Sequence, residues 1–212
     1  MLLIFLFTAF FCHSQNSSNP INLNRARLPE LKSLKSSDAI FKEYSNIVSE
    51  NQKAIAAGYQ TEMIFFTHKI TEDDSSIISG HESQLLAIAS RCNISYDTLA
   101  SINGIEDSTT DLMNKSLILP TVSGLFIKTG KGNTSLEILL HENYANDAST
   151  ASATFYTIDG EEYAFLEDVR FSPTERAYFL DSSLRLPLDK DAFWISSDFG
   201  KRISPISGEW KD

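Results

Sequence analysis

Hydrophobic and polar positions change period along the middle of the chain. Residues 63–70, "MIFFTHKI", form a short apolar and β-branched run of strand length. The polar stretch "TEDDSSIISGHE" follows, and then "SQLLAIASRCN" repeats Leu85, Ile88, Ala89 and Cys92 at helical spacing. Ser83 stands where its hydroxyl can cap that helix by accepting from a free backbone N–H. Ser95 does the same for "YDTLASI", whose Leu99 and Ile102 share a face, and Asn103-Gly104 ends this second helix in a conformation that glycine tolerates. "KSLILP" adds a closing strand, stopped by Pro120. The pattern predicts strand, helix, helix, strand within about sixty residues.

The flanks read differently. "QNSSNPINLNRARLPELKSLKSS" is rich in Asn, Pro and Ser without a sustained period, which is linker composition. "DAIFKEYSNIVSENQKAIAAG" then brings Ile40, Phe41, Tyr44, Ile47, Val48, Asn51 and Ile55 close to helical spacing, with Gly58 as the stop. A helix with one apolar face must pack on something, either the next domain or a partner. Beyond Pro120, "SGLFIKTG" and "ATFYTIDGEEYAFLED" carry aromatic and β-branched residues, and Asp159-Gly160 between two such runs predicts a hairpin. In "FSPTERAYFLDSSLRLPL", Ser172 is an N-cap, Pro173 takes the first helical position, and Glu175 can reach back to the Ser172 N–H. A short helix through about Leu180 follows; the capping role accounts for Glu175, and Arg176 reads as a solvated surface charge. The expected class is α+β: a β-α-α-β module, a small β-rich unit and an incomplete C-terminal β domain.

Composition bounds the function. A chain of 212 residues with 42% hydrophobic content can bury a real core. Its formal charge of −10, with no basic stripe, excludes electrostatic capture of nucleic acid, whose phosphates need clustered Lys and Arg. The opening "MLLIFLFTAFFCHSQ" holds an apolar run of about ten residues, short of the roughly 20 that span a bilayer, and reads as an export signal. Cys12 invites a lipid-anchor reading, against which Phe11 occupies a position for a small residue. After removal of the signal, Cys92 is the one cysteine left, so an intramolecular disulfide is excluded; its place on the apolar side of a helix predicts a buried core thiol. The expected location is the periplasm or cell envelope, free or held by an uncleaved or lipidated N-terminus.

"LLAIASRCNISYDTLASINGI" followed by "NKSLILP" resembles the LysM module, a small glycan-binding domain of two helices packed on a two-stranded sheet. The resemblance covers about Ile64 to Pro120. Ile88-Ala89, Asn93-Ile94-Ser95, Asp97-Thr98-Leu99, Asn103-Gly104 and Leu117 to Pro120 fall in family order. Where the family has Gly-Asp-Thr-Leu, this chain has Glu82-Ser83-Gln84-Leu85 after a long acidic loop. The resemblance implies a shallow groove between that loop and the one joining the second helix to the last strand, holding acetamido sugars by backbone hydrogen bonds and apolar contact. By position it would involve Ser83, Gln84, Leu85, Gly104 and Ile105. Each also has a plain structural reading: Leu85 and Ile105 as core, Ser83 as a cap, Gly104 as a turn. "KGNTSLEILL" faintly echoes the same opening, too briefly to carry a repeat.

"LRLPLDKDAFWISSDFGKRISPISG" resembles the entry of the lysostaphin-like zinc peptidases, which cut peptide cross-links in bacterial walls; Phe199-Gly200, Arg202, Pro205 and Ser207-Gly208 match in register. The family's zinc ligands come from His-x-Gly-x-Asp and His-x-His motifs that this sequence does not contain, and zinc hydrolysis needs about three protein ligands and an open position. His13, His68, His81 and His141 are scattered. No catalytic residue, cofactor or metal ligand is therefore expected, zinc belonging to a full-length relative. The implied organisation is a signal peptide (1–15), linker and helix (16–60), LysM-like module (61–123), β-rich unit (124–188) and truncated peptidase entry (189–212), the last leaving Phe193, Trp194, Ile195 and Phe199 without a core. The implied function is an exported peptidoglycan-binding protein, a catalytically incomplete fragment of a murein endopeptidase, whose partners are wall glycan strands. Two alternatives stay open: a non-catalytic regulator docked on a cell-wall hydrolase, or one half of a split peptidase completed by a separately encoded catalytic segment.

Overall fold

In chain order the elements are β1 (Ile21–Leu23), α1 (Ala39–Ala57), β2 (Phe65–Lys69), α2 (Ser75–Ile78), α3 (Gln84–Cys92), α4 (Tyr96–Asn103), β3 (Ser116–Pro120), β4 (Gly124–Lys128), α5 (Ser135–Ala148), β5 (Thr154–Ile158), β6 (Glu161–Glu167), α6 (Pro173–Leu180), β7 (Arg202–Ile203) and β8 (Trp210–Lys211). These come from a computed structural model that describes residues 20–130, 132–148, 153–181, 202–203 and 210–211. The class is α+β. The signal segment, its Cys12 and His13, and the run from Phe193 to Phe199 lie outside the described residues. The chain divides after Ser182, and in the second unit β7 pairs antiparallel with β8.

The caps expected at Ser83, Ser95 and Ser172 and the stops at Gly58 and Gly104 form, and Asp38 adds a cap that was not among them. Asp38 accepts from the Phe41 N–H at 2.9 Å to open α1, and Gly58 closes it at φ 71°, in the left-handed region. Ser83 and Ser95 cap α3 and α4, and Asn93 and Gly104 end them at φ 53° and 61°. Ser172 and Glu175 form the reciprocal capping box of α6, with Pro173 at its start. Asp159 and Gly160, at φ 52° and 89°, make the two-residue turn between β5 and β6.

β2 and β3 form an antiparallel pair with Phe66 opposite Leu119 and His68 opposite Leu117. The second sheet runs β1-β5-β6-β4, antiparallel except for the parallel β1–β5 edge. Because side chains alternate along a strand, each sheet has two faces. One face of β2–β3 carries Phe66, Leu117 and Leu119 into a core shared with α1, α3, α4 and α5. The opposite face carries Phe65 and Ile118 against Phe126, Tyr156 and Phe165 of the four-stranded sheet. The aromatic contacts are close: Phe65 meets Tyr156 edge-on with centroids 5.2 Å apart, and Phe126 meets Phe165 at 4.7 Å. The β-α-α-β stretch and the β-rich stretch thus share two cores within one compact unit.

The segment expected to be a linker is structured from Pro20 onward. β1 pairs with β5, and Pro29 to Leu31 lies beside β2, where the Leu31 N–H donates to the Thr67 carbonyl at 2.8 Å and the Thr67 N–H to Pro29 at 2.9 Å. Leu31 and Leu34 are fully buried. Composition misled because two apolar residues among Ser, Asn and Lys show no period, yet they suffice to fasten a strap to a sheet edge. On α1, Phe41, Tyr44, Val48 and Asn51 are buried as expected, whereas Ile40 is 40% exposed. The α1 face packs within its own chain.

Candidate functional site

Two loops leave the same end of the β2–β3 sheet, at the Lys69–Ser116 pair: the one entering α3 and the one leaving α4. The first is not a plain loop. Residues 72–74 make a 3-10 turn that runs into α2, and Asp74 turns inward to 3% exposure. Its Oδ2 accepts from the Thr71 N–H at 2.9 Å and lies 3.2 Å from His68 Nε2. His68 Nδ1 is 2.6 Å from the Leu31 carbonyl, and since a carbonyl only accepts, this nitrogen carries its proton. His68 is therefore a buried strand residue that ties the strap to the acidic loop.

Gln84 is the hinge between the loops. Its Oε1 accepts from the Leu112 N–H at 2.8 Å and its Nε2 donates to Asp111 Oδ1 at 3.3 Å. The second loop is stiffened from within: Asp107 Oδ1 accepts from the Thr109 N–H at 2.9 Å, and Asp111 Oδ1 from the Met113 N–H at 3.0 Å. Asn103 pins its root, accepting from the Ile118 N–H at 2.7 Å and donating to the Ile118 carbonyl at 2.9 Å. From sequence Asn103 reads only as a stop, and Gln84 as a groove residue by position but not as a bridge between the loops; a side-chain amide before a glycine or inside a cap is the available signal for both.

The five site residues expected from sequence fall into two groups. Ser83, Leu85 and Ile105 are buried, the serine Oγ accepting from the Leu86 N–H at 3.3 Å and the two apolar residues joining the core. Gln84 is half-buried and Gly104 is exposed. Gly104 sits at φ 61°, and a Cβ built on it would lie 3.5 Å from Glu137 Oε1. The loops are brought together, but the groups left facing solvent are chiefly Gly104 and the edge of Gln84. The lips carry Glu82, Glu106, Asp107 and Asp111, a negatively charged rim.

The second lip also touches the C-terminal part of the unit. The Ser108 N–H donates to the Phe179 carbonyl at 2.9 Å, and the Tyr178 hydroxyl reaches Glu106 Oε1 at 3.4 Å. Phe179, Phe171 and Tyr96 form an aromatic trio with centroids 5.6 to 6.0 Å apart. Burial, and then the neighbouring Asp97 charge, raise the Tyr96 hydroxyl above its ordinary range. Glu175 is fully buried: besides the Ser172 N–H it accepts from Asn143 and Tyr144 of α5, so it locks α6 to α5 as well as capping it. Arg176 is exposed.

Elsewhere, a cleft of about 420 Å³ between the strap and α3 is lined by Lys35, Ser36, Ile77 and Arg91; Arg91 is committed to the Leu34 carbonyl and Ser36, and stacks on Phe41. Cys92 is buried beside Tyr44, and desolvation pushes its thiol up to about 12. Of the described histidines, His68 has both ring nitrogens engaged, His141 Nδ1 faces the Lys128 carbonyl at 3.0 Å, and His81 is exposed. Among the described residues no group of three or more His, Cys, Asp or Glu is placed to hold a metal ion, so these residues do not fit a zinc centre. Among the same residues no helix is long and apolar enough to cross a membrane. No protein-family model, curated protein or solved structure matches the chain.

Proposed function

We propose that this chain is an exported, non-hydrolytic binding protein of the bacterial cell envelope that engages N-acetylglucosamine-containing glycan strands at the two loops flanking α3 and α4. The observation that carries this reading is Gln84, whose amide holds the two lips at a fixed spacing through Leu112 and Asp111. Lips whose spacing is set beforehand can receive an acetamido sugar without the cost of ordering a loop. The motif order quoted above supports the same reading.

The test is sedimentation of the purified chain with isolated peptidoglycan. Wild type should pellet with the wall, and Gln84→Ala should pellet less, by roughly threefold to tenfold for the loss of about 1 kcal/mol of lip organisation. Wild type left wholly in the supernatant would overturn the reading.

A second reading has its own support. Ser83, Leu85 and Ile105 are buried, so the lips offer few side chains to a sugar. A protein that instead docks on a wall hydrolase would co-purify with an amidase and show no retention on peptidoglycan.

A further inference from the structure

We infer that residues 168–181, ending in α6, form an intramolecular lid that occupies the second lip and competes with glycan there. The inference rests on the glycan reading for the ligand, but the lid itself is argued from contacts alone.

The lid touches the lip through main-chain and side-chain groups, while Phe171 and Phe179 anchor it in the core beside Tyr96. Phe179 and Leu180 present their carbonyls to Ser108, which donates its N–H at 2.9 Å and its hydroxyl at 3.5 Å. Tyr178 meets Glu106, and Ser108 is reduced to 7% exposure. Only one side of α6 makes these contacts: Glu175 and Phe179 are buried, while Pro173, Thr174, Arg176, Ala177 and Leu180 are exposed. A short helix held by one face can leave as a unit.

The docked state also carries a built-in defect. The Phe171 N–H donates to Asp97 Oδ2 at 3.0 Å, which brings the lid down over the start of α4. Asp97 is then 3% exposed, and its other oxygen, Oδ1, is buried without a hydrogen-bond partner among the described residues. A buried carboxylate oxygen with no donor is costly, and lifting the lid returns it to water. The segment begins at Asp168, a non-glycine residue at φ 57° whose N–H is fixed on the Ser123 carbonyl, giving the lid a defined root. Closure is thus favoured by the aromatic trio and by Glu175 on α5, and opposed by Asp97. A site covered for part of the time binds with its intrinsic affinity multiplied by the uncovered fraction.

Two amides report the lid directly. The Ser108 and Phe171 N–H groups are donated across the lid contact, so they exchange with deuterium only when it opens. The experiment uses the full chain in three forms: wild type, an opened form carrying Asn143→Ala and Tyr178→Phe, and a closed form carrying Ser108→Cys and Leu180→Cys under oxidising conditions. Amide exchange is read alongside binding of a chito-oligosaccharide. In wild type the two amides should exchange faster than those of β4 and β6, and in the opened form about tenfold faster again, with tighter sugar binding. The oxidised closed form should lose binding and regain it on reduction. If Ser108 and Phe171 exchange only together with the β4–β6 core in every form, there is no lid. If the sugar binds and neither variant alters its affinity, the lid does not guard the site. If the two amides exchange early yet no form binds the sugar, the opening stands, while the glycan reading and the occlusion built on it fall.

Discussion

The Cys92 thiol lies 1% exposed beside the Tyr44 hydroxyl, which in turn donates to the Pro120 carbonyl at 3.2 Å. Loss of water around the sulfur raises its ionisation from an ordinary 9.0 to about 12, and burial raises Tyr44 well above its usual range. A thiol so placed is a packing group, and it should not react with a disulfide reagent at pH 8 until the protein is unfolded. The linkage sign follows from where the proton is held. Below pH 9 folded and unfolded chains both carry the thiol proton; between 9 and 12 only the folded chain does, so stability falls as the pH rises through that window. Denaturant midpoints measured from pH 8 upward should decline, and Cys92→Ala should make the decline shallower. An unchanged slope would mean that the thiol is not buried in solution.

At the level of elements, much of the fold was legible because local chemistry decided it. Caps at Ser83, Ser95 and Ser172, stops at Gly58 and Gly104, and the Asp159-Gly160 turn each depend on a few adjacent residues. The turn gives a direct test. Gly160 stands at φ 89°, where a Cβ is strained although nothing crowds it, so Gly160→Ala should cost about 1–2 kcal/mol in an unfolding titration. No loss would show that the turn changes type freely. The strap at Pro29 to Leu34 and the turn of Asp74 toward His68 were illegible for the opposite reason. The strap depends on a partner far away in sequence, Leu31 on Thr67, while Asp74 and His68, only six residues apart, meet through a turn of polar residues, and neither leaves a period. The site divides the same way: the approach of the loops followed from the order of elements, whereas Gln84's grip on Leu112 and α6's contact with Ser108 did not.

The whole molecule is more integrated than its stretches of pattern imply. The face of β2–β3 that would meet solvent in a free-standing module carries Phe65 and Ile118 against Phe126, Tyr156 and Phe165. Removing the four-stranded sheet would expose that face, and burial of large aromatic side chains is worth about 1.5–3 kcal/mol each. Residues 61–123 expressed alone should therefore show broad amide signals and no cooperative melt, while residues 20–181 melt in one transition; a sharp independent melt of 61–123 would show that the shared core is dispensable. That integration also explains how a helix at the end of the unit comes to rest on a loop seventy residues earlier, at Ser108.

The proposed role of the two lips joined by Gln84 is to receive a sugar. It can be checked by titrating the isotopically labelled full chain with a neutral N-acetylglucosamine oligomer and following amide shifts at concentrations up to about 10 mM, to cover weak affinities. Saturable shifts are expected at Gln84, at Gly104 and along the loop from Gly104 to Ser116. Shifts absent throughout, or confined to α1 and the strap, would contradict it.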